Sequence, residues 1–138
     1  QSLFSIGFNG RVGIGSSTPF AQLSLGPNAA ITTTEKSLTD GATVTVNWTQ
    51  GNQQIVTLGG NRTINFSSYV GGQILRLFVC QDSTGSRTVT WDSAVLWNGG
   101  SAPTLTTTAN KCDIIAFLAS VASSTATLKI YGAAALNF

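Results

Sequence analysis

The sequence has no histidine and no methionine, and only five of its 138 residues are acidic. Most serine and cysteine nucleophiles need a histidine as their base, so these triads are excluded. Glycosidases need paired carboxylates, and here the acids lie in a polar linker-like stretch, at turn-like positions and near one strand start. These residues are Glu35, Asp40, Asp82, Asp92 and Asp113. We therefore expect a protein that is not an enzyme.

Cysteine is nearly absent, with one residue at Cys80 and one at Cys112. A structural zinc site needs four cysteine, histidine or carboxylate ligands, and two distant cysteines are not enough. We therefore expect no metal site and no cofactor. Both cysteines lie in apolar, strand-like runs. An even number of cysteines in a secreted protein favours a disulfide between them. Two buried free thiols are the alternative.

Charge is also scarce: 9% of the residues are charged, against about 25% in an ordinary soluble domain. The seven basic residues are scattered and the net charge is +2, so no concentrated positive face for nucleic acid is expected. No apolar run reaches the roughly 20 residues of a membrane-spanning helix. Weak repulsion between copies favours self-association.

The chain does contain many serines and threonines, 34 together, and an apolar fraction of 42% that alternates with polar residues. Alternation between turn signals every 8–12 residues is typical of an all-β protein. We predict strands over residues 3–8, 11–15, 20–25, 43–48, 53–58, 62–66, 73–80, 87–91, 94–97, 111–120 and 126–131. The predicted fold is an antiparallel, jelly-roll-like β-sandwich preceded by an extended N-terminal strand segment.

The predicted division places an N-terminal β segment and linker at residues 1–38 and the sandwich body at 39–138. In the first strand, Leu3 is followed by Phe4, Ile6 and Phe8 on one face. We predict that this assembly strand inserts into an apolar groove of a neighbouring subunit, adding a strand to its sheet. The alternative is that the strand folds back onto its own body.

Two stretches carry a family resemblance. Residues 9–23 read Asn-Gly-Arg-Val-Gly-Ile-Gly-Ser-Ser-Thr-Pro-Phe-Ala-Gln-Leu and resemble a segment of phage tail-fibre-like and large bacterial surface proteins. The body is similar to a β-rich module at the ends of phage tail-fibre-like proteins, through residues 56–58, 61–66, 81–91 and 102–110. The resemblance implies an extracellular or virion β-structure that is commonly oligomeric and has no enzymatic activity.

These observations predict a structural subunit of a secreted, extracellular filament or cell-surface appendage, whose partners are copies of itself joined head to tail. The alternative is a virion protein, a tail-fibre tip module that binds a cell-surface receptor or glycan as a trimer. In that alternative Trp97, beside the Asn98–Gly100 turn, is the aromatic residue for the ligand. Trp48 and Trp91 each end an alternating apolar series and are expected in the core. A capsid-decorating protein is the third alternative.

Overall fold

The computed structural model describes residues 4–7, 10–19, 21–26, 31, 33–121 and 128–138. The described chain is mostly β-structure, with several sheets and two single 3-10 turns at Trp48–Gln50 and Asn98–Gly100. It divides into two compact units, residues 1–32 and residues 33–138.

The first unit is a small three-stranded sheet. Its strands are β1 (Phe4–Ile6), β2 (Val12–Ile14) and β3 (Leu23–Leu25), in the order β1-β2-β3. β1 runs antiparallel to β2, and the connection includes Gly10, whose φ of 74° favours glycine. β2 and β3 run parallel.

The second unit contains the other nine strands of the described chain. They are β4 (Lys36–Ser37), β5 (Thr43–Asn47), β6 (Gln53–Leu58), β7 (Arg62–Ser67), β8 (Ile74–Gln81), β9 (Val89–Trp91), β10 (Val95–Trp97), β11 (Cys112–Ser120) and β12 (Lys129–Ala135). One sheet has the order β10-β12-β11-β8-β6-β4, and the other has the order β5-β7-β9.

From β4 to β9 the chain alternates between these two sheets. Strands that are neighbours in one sheet are therefore two elements apart in sequence, and they run parallel. β11 is antiparallel to both β8 and β12, and β12 is parallel to β10.

The predicted antiparallel, jelly-roll-like pairing is therefore wrong for most of the body. Turn sequences such as Gly59–Gly60–Asn61 are typical of hairpins, which return the chain within one sheet. Here the same turn carries the chain from β6 in one sheet to β7 in the other. Two-residue alternation fixes which face of a strand is apolar, but it does not fix the strand that pairs with it.

Both sheets contribute to one hydrophobic cluster. β5 and β7 supply Val44, Val46 and Ile64, which are at most 2% exposed. The six-stranded sheet supplies most of the remainder, namely Val56, Leu58, Leu75, Leu77, Val79, Val95, Ile115, Phe117 and Ile130. These residues occupy every second position of their strands, as expected for strands that bury one face.

Candidate functional site

The predicted assembly strand lies in the sheet of the first unit. Phe4 and Ile6 are 59% and 68% exposed, and they pair with Ile14 and Val12 of β2. The parallel neighbour β3 extends these two rows with Leu25 and Leu23. Leu3 and Phe8, the other two predicted residues, lie outside the described residues. One face of this sheet is thus entirely apolar.

The opposite face of the same sheet carries small side chains. Ser5 lies opposite Gly13, and its hydroxyl donates to the carbonyl oxygen of Ser16 at 2.8 Å. A Cβ atom at Gly13 would clash with that carbonyl oxygen, so only glycine fits there. β1 therefore has a partner strand in its own chain, and its donation to another subunit stays a prediction.

Trp97 lies at the end of β10, at the edge of an aromatic cluster. Its ring is 5.1 Å from that of Trp91 and 5.9 Å from that of Phe117, both edge to face. Such pairs add about 0.5–1.5 kcal/mol beyond the buried area. Gly132 of the neighbouring strand makes room for the ring, because a Cβ atom there would lie 2.7 Å from Trp97 Cζ3. Trp48 is 1% exposed, as predicted for a core residue.

A pocket of about 210 Å³ adjoins the half-buried Trp97. Its lining contains two polar residues, Asn98 and Ser101, and otherwise small or apolar residues, among them Pro103 and Leu136. The Asn98–Gly100 turn beside the pocket has φ values of 75° at Gly99 and 81° at Gly100. The arrangement combines a tryptophan side chain with one amide and one hydroxyl group, a mixture suited to a polyol ligand.

Cys80 and Cys112 form a disulfide, which confirms that prediction. The two residues are direct cross-strand partners of β8 and β11, and their Cα atoms are 4.0 Å apart. On the other side of Cys112, its backbone N–H donates to the carbonyl of Phe138, and the N–H of Phe138 donates back. The disulfide therefore lies where the C-terminal residues join the sheet.

Two arginine–carboxylate pairs fix the ends of the parallel strands. Arg62, the first residue of β7, donates to both carboxylate oxygens of Asp40, at 2.8 and 2.6 Å. Arg87 contacts Asp82 in the connection between β8 and β9, with Nη2 at 2.8 Å from Oδ2. These hydrogen bonds are the main reason that the pKa of each carboxyl lies below its ordinary value, reaching about 2 for Asp82.

The Asp82–Arg87 pair makes the free energy of unfolding depend on pH in the acidic range. The folded-state pKa of about 2 lies below the ordinary 3.8, so the stabilisation is present above the ordinary pKa and is lost as pH falls toward 2. We expect wild type to exceed Asp82→Asn in unfolding free energy at neutral pH. The difference should shrink between about pH 4 and pH 2, measured by urea denaturation. A difference that is constant across this range would contradict the assignment.

Two buried glutamine side chains bind the backbone of connecting segments. Gln54 Nε2 donates to the carbonyls of Asn47 and Gly51, at 2.7 and 2.9 Å. Gln81 Nε2 donates to the carbonyls of Arg87 and Thr106, and its Oε1 accepts from the Arg87 N–H.

Asp113, 1% exposed, anchors two further segments. Its carboxylate accepts from the N–H groups of Thr106 and Asn137, at 2.7 and 2.9 Å. The sequence predicts a structural acceptor at Asp113, near a strand start, but it does not reveal these two partners.

Within the described part of the chain, no three histidine, cysteine or carboxylate residues are grouped closely enough for a metal ion. The described residues also include no helix that is both long and apolar enough to cross a membrane.

A family model described as "Putative phage tail fibre C-terminal domain" matches residues 31–120, about two thirds of the chain. The chain belongs to this family. No curated protein and no solved structure matches it. The match confirms the tail-fibre-like resemblance of the body, and residues 9–23 lie outside the matched range.

The tail-fibre domain match extends from before β4 to the last residue of β11. It includes both arginine–carboxylate pairs, the disulfide, the buried Asp113 and Trp97. The sheet of β1, β2 and β3 and the last strand, β12, lie outside the matched range.

Proposed function

We propose that this chain is a structural module of a phage tail fibre, carried on the virion, which contacts a receptor or glycan of the host surface as a trimer. The observation that carries the proposal is the tail-fibre domain match over residues 31–120. The proposed role is structural and binding, without catalysis, cofactor or nucleic-acid partner.

The proposed module needs a rigid frame, because a fibre end must withstand repeated contact with a cell surface. We propose that the sheet of β5, β7 and β9 packs face to face with the six-stranded sheet, as a sandwich around their shared hydrophobic cluster. The disulfide and the two arginine–carboxylate pairs hold strand ends and connections. Regular strands position the surface residues more firmly than loops would.

The proposed ligand site is the pocket beside Trp97. The ring of Trp97 packs against Trp91 and Phe117, and Trp97 lines the pocket together with Asn98 and Ser101. An aromatic surface contacts the apolar face of a sugar ring, while the amide and hydroxyl groups bond to its hydroxyls. The site therefore favours a neutral glycan over a charged ligand.

The filament hypothesis has less support. The family match favours a tail-fibre module, and β1 already pairs with β2 within its own chain. We therefore do not extend the proposal to a strand-donating extracellular filament.

The glycan prediction is tested by Trp97→Ala on a glycan array and on whole bacterial cells. We expect the substitution to weaken binding by about 2 kcal/mol, ~30-fold, because a central tryptophan commonly dominates an interface. Trp97→Phe is the matched control, since it keeps an aromatic ring against Trp91 and should retain most of the binding. Thermal melting checks that both variants fold. Wild-type affinity in Trp97→Ala, or no array hits for wild type, would contradict the prediction.

A further inference from the structure

The outward side of the six-stranded sheet carries a continuous row of large apolar residues. Leu96 of β10 pairs with Tyr131 of β12, and Tyr131 pairs with Leu118 of β11. Leu118 in turn pairs with Ile74 of β8. The row crosses four neighbouring strands, and we call these four residues the apolar ridge.

All four ridge residues are accessible. Their exposed fractions are 44% for Leu96, 37% for Tyr131, 47% for Leu118 and 67% for Ile74. The residues next to them along the strands, such as Leu75 and Ile130, point to the core and are fully buried. Single exposed apolar residues are ordinary, but a contiguous apolar patch marks an interaction surface.

A groove runs beside the ridge. The next row of outward-facing residues lies two positions away along each strand. In this row Ala133 of β12 pairs with Ala116 of β11, and Ala116 pairs with Arg76 of β8. The small side chains leave a depression of about 670 Å³, also bounded by Leu118 and Tyr131. Beyond it, a third row pairs Ala135 with Ile114 and Ile114 with Phe78. Along β11 the outward side chains therefore alternate between large Leu118, small Ala116 and large Ile114, with the two-residue repeat of a strand.

We propose that this face packs against the same face of other copies of this chain, with the apolar ridge of one copy seated in the alanine groove of the next. Every copy has the same rows of side chains. When one copy is displaced by one row relative to the other, the apolar ridge of the first lies opposite the alanine groove of the second. Faces of packed sheets approach to about 10 Å, and alanine permits that approach.

The size of the face fits this occupant. The six strands contain 35 residues together, from two in β4 to nine in β11. At about 3.3 Å per residue and about 4.8 Å between strands, the face covers about 550 Å², or about 1,100 Å² from two copies. This exceeds the total of about 1,000 Å² that a specific protein interface should bury.

The charge of the face also fits. In the three rows the only charged residue is Arg76, and Lys129 lies on the same face one row beyond the ridge, so the rows themselves offer little to a polyanion or a strongly charged protein. Trp97 and Asn98 stand at one end of the groove, so the proposed glycan pocket adjoins the junction between copies. The inference rests on the proposed tail-fibre function only for the expectation that copies assemble.

The test is sedimentation equilibrium of the full chain and three variants at micromolar concentration. Leu118→Glu and Ile74→Glu place a carboxylate on the ridge, from different strands. Thr45→Glu is the matched control, because Thr45 is exposed on β5 of the other sheet. We expect an oligomer of the 14.3 kDa chain for wild type and Thr45→Glu. Each ridge variant should associate ~100-fold more weakly, with an unchanged melting temperature.

A monomeric wild type would overturn the proposal, as would ridge variants that keep the wild-type mass. A wild-type monomer that binds phosphatidylethanolamine–phosphatidylglycerol vesicles would replace the second copy by a lipid surface. If Leu118→Glu fails to fold, Ile74→Glu decides, because Ile74 begins β8 and is the most exposed ridge residue.

The two proposals fail separately. Loss of the oligomer in the ridge variants, with no binding of wild type to any cell or glycan, keeps the interface and overturns the receptor role. An unchanged mass in the ridge variants, with glycan binding lost in Trp97→Ala, overturns the interface and keeps the receptor role.

Discussion

Replacing Asp113 by alanine should lower the free energy of unfolding by about 3–5 kcal/mol, the largest effect we expect from one substitution. The carboxylate is buried and accepts from the N–H groups of Thr106 and Asn137. Both hydrogen bonds are partly buried. An N–H that loses its acceptor in such a place costs about 1–3 kcal/mol, and hydrogen bonds to a charged group are at the upper end. Guanidinium denaturation measures the change.

Asp113→Asn is the matched control for this prediction. Its side chain has nearly the same shape and keeps one carbonyl oxygen, so it should accept one of the two N–H groups and lose about half as much stability. A loss below about 1 kcal/mol in the alanine variant would contradict the structural role.

Removing the disulfide should have the second largest effect. Cys80 and Cys112 are 32 residues apart in sequence. Closing a loop of this length stabilises a fold by about 3–4 kcal/mol in the chain-entropy account. The double variant Cys80→Ala, Cys112→Ala should lose that amount in chemical denaturation, and wild type treated with a reductant should approach it.

The control for the disulfide is the double variant treated with the same reductant, which should show no further change. Mass spectrometry after thiol alkylation establishes that wild type starts without free thiols. Equal stability of oxidised wild type and the double variant would contradict the prediction.

The positions of the strands were largely predictable from the sequence. The alternation of Val44 and Val46 in β5, and of Ile115 and Phe117 in β11, fixes both the element and its buried face. The disulfide was also predicted, from the even number of cysteines and the expectation of a secreted protein. Apolar alternation also predicted that Trp48 lies in the core, because it ends the series of Val44 and Val46.

The pairing of the strands was not predictable from this pattern. Gly59–Gly60–Asn61 is a good turn in a hairpin and in a sheet-to-sheet connection, so local chemistry does not distinguish them. The partners of Asp113 were hidden for a related reason: Asn137 is 24 residues away, and only the assembled fold brings it near. A buried polar residue reveals its role through its partners, which are set by topology.

The apolar ridge did leave a signal in the sequence. β11 is apolar at Ile114, Ala116 and Leu118 as well as at its buried positions, so both of its faces read as hydrophobic. A strand of this kind needs cover on both sides. The sequence alone does not tell whether the second cover comes from the same chain or from another copy.

A tail-fibre module is carried on the virion, and its position there can be observed. The most direct measurement is electron microscopy of virions labelled with gold-conjugated antibody against the folded chain. We expect gold at the fibre ends, and blocking of virion adsorption by the same antibody. Gold on the capsid, or on extracellular filaments without virions, would contradict this expectation.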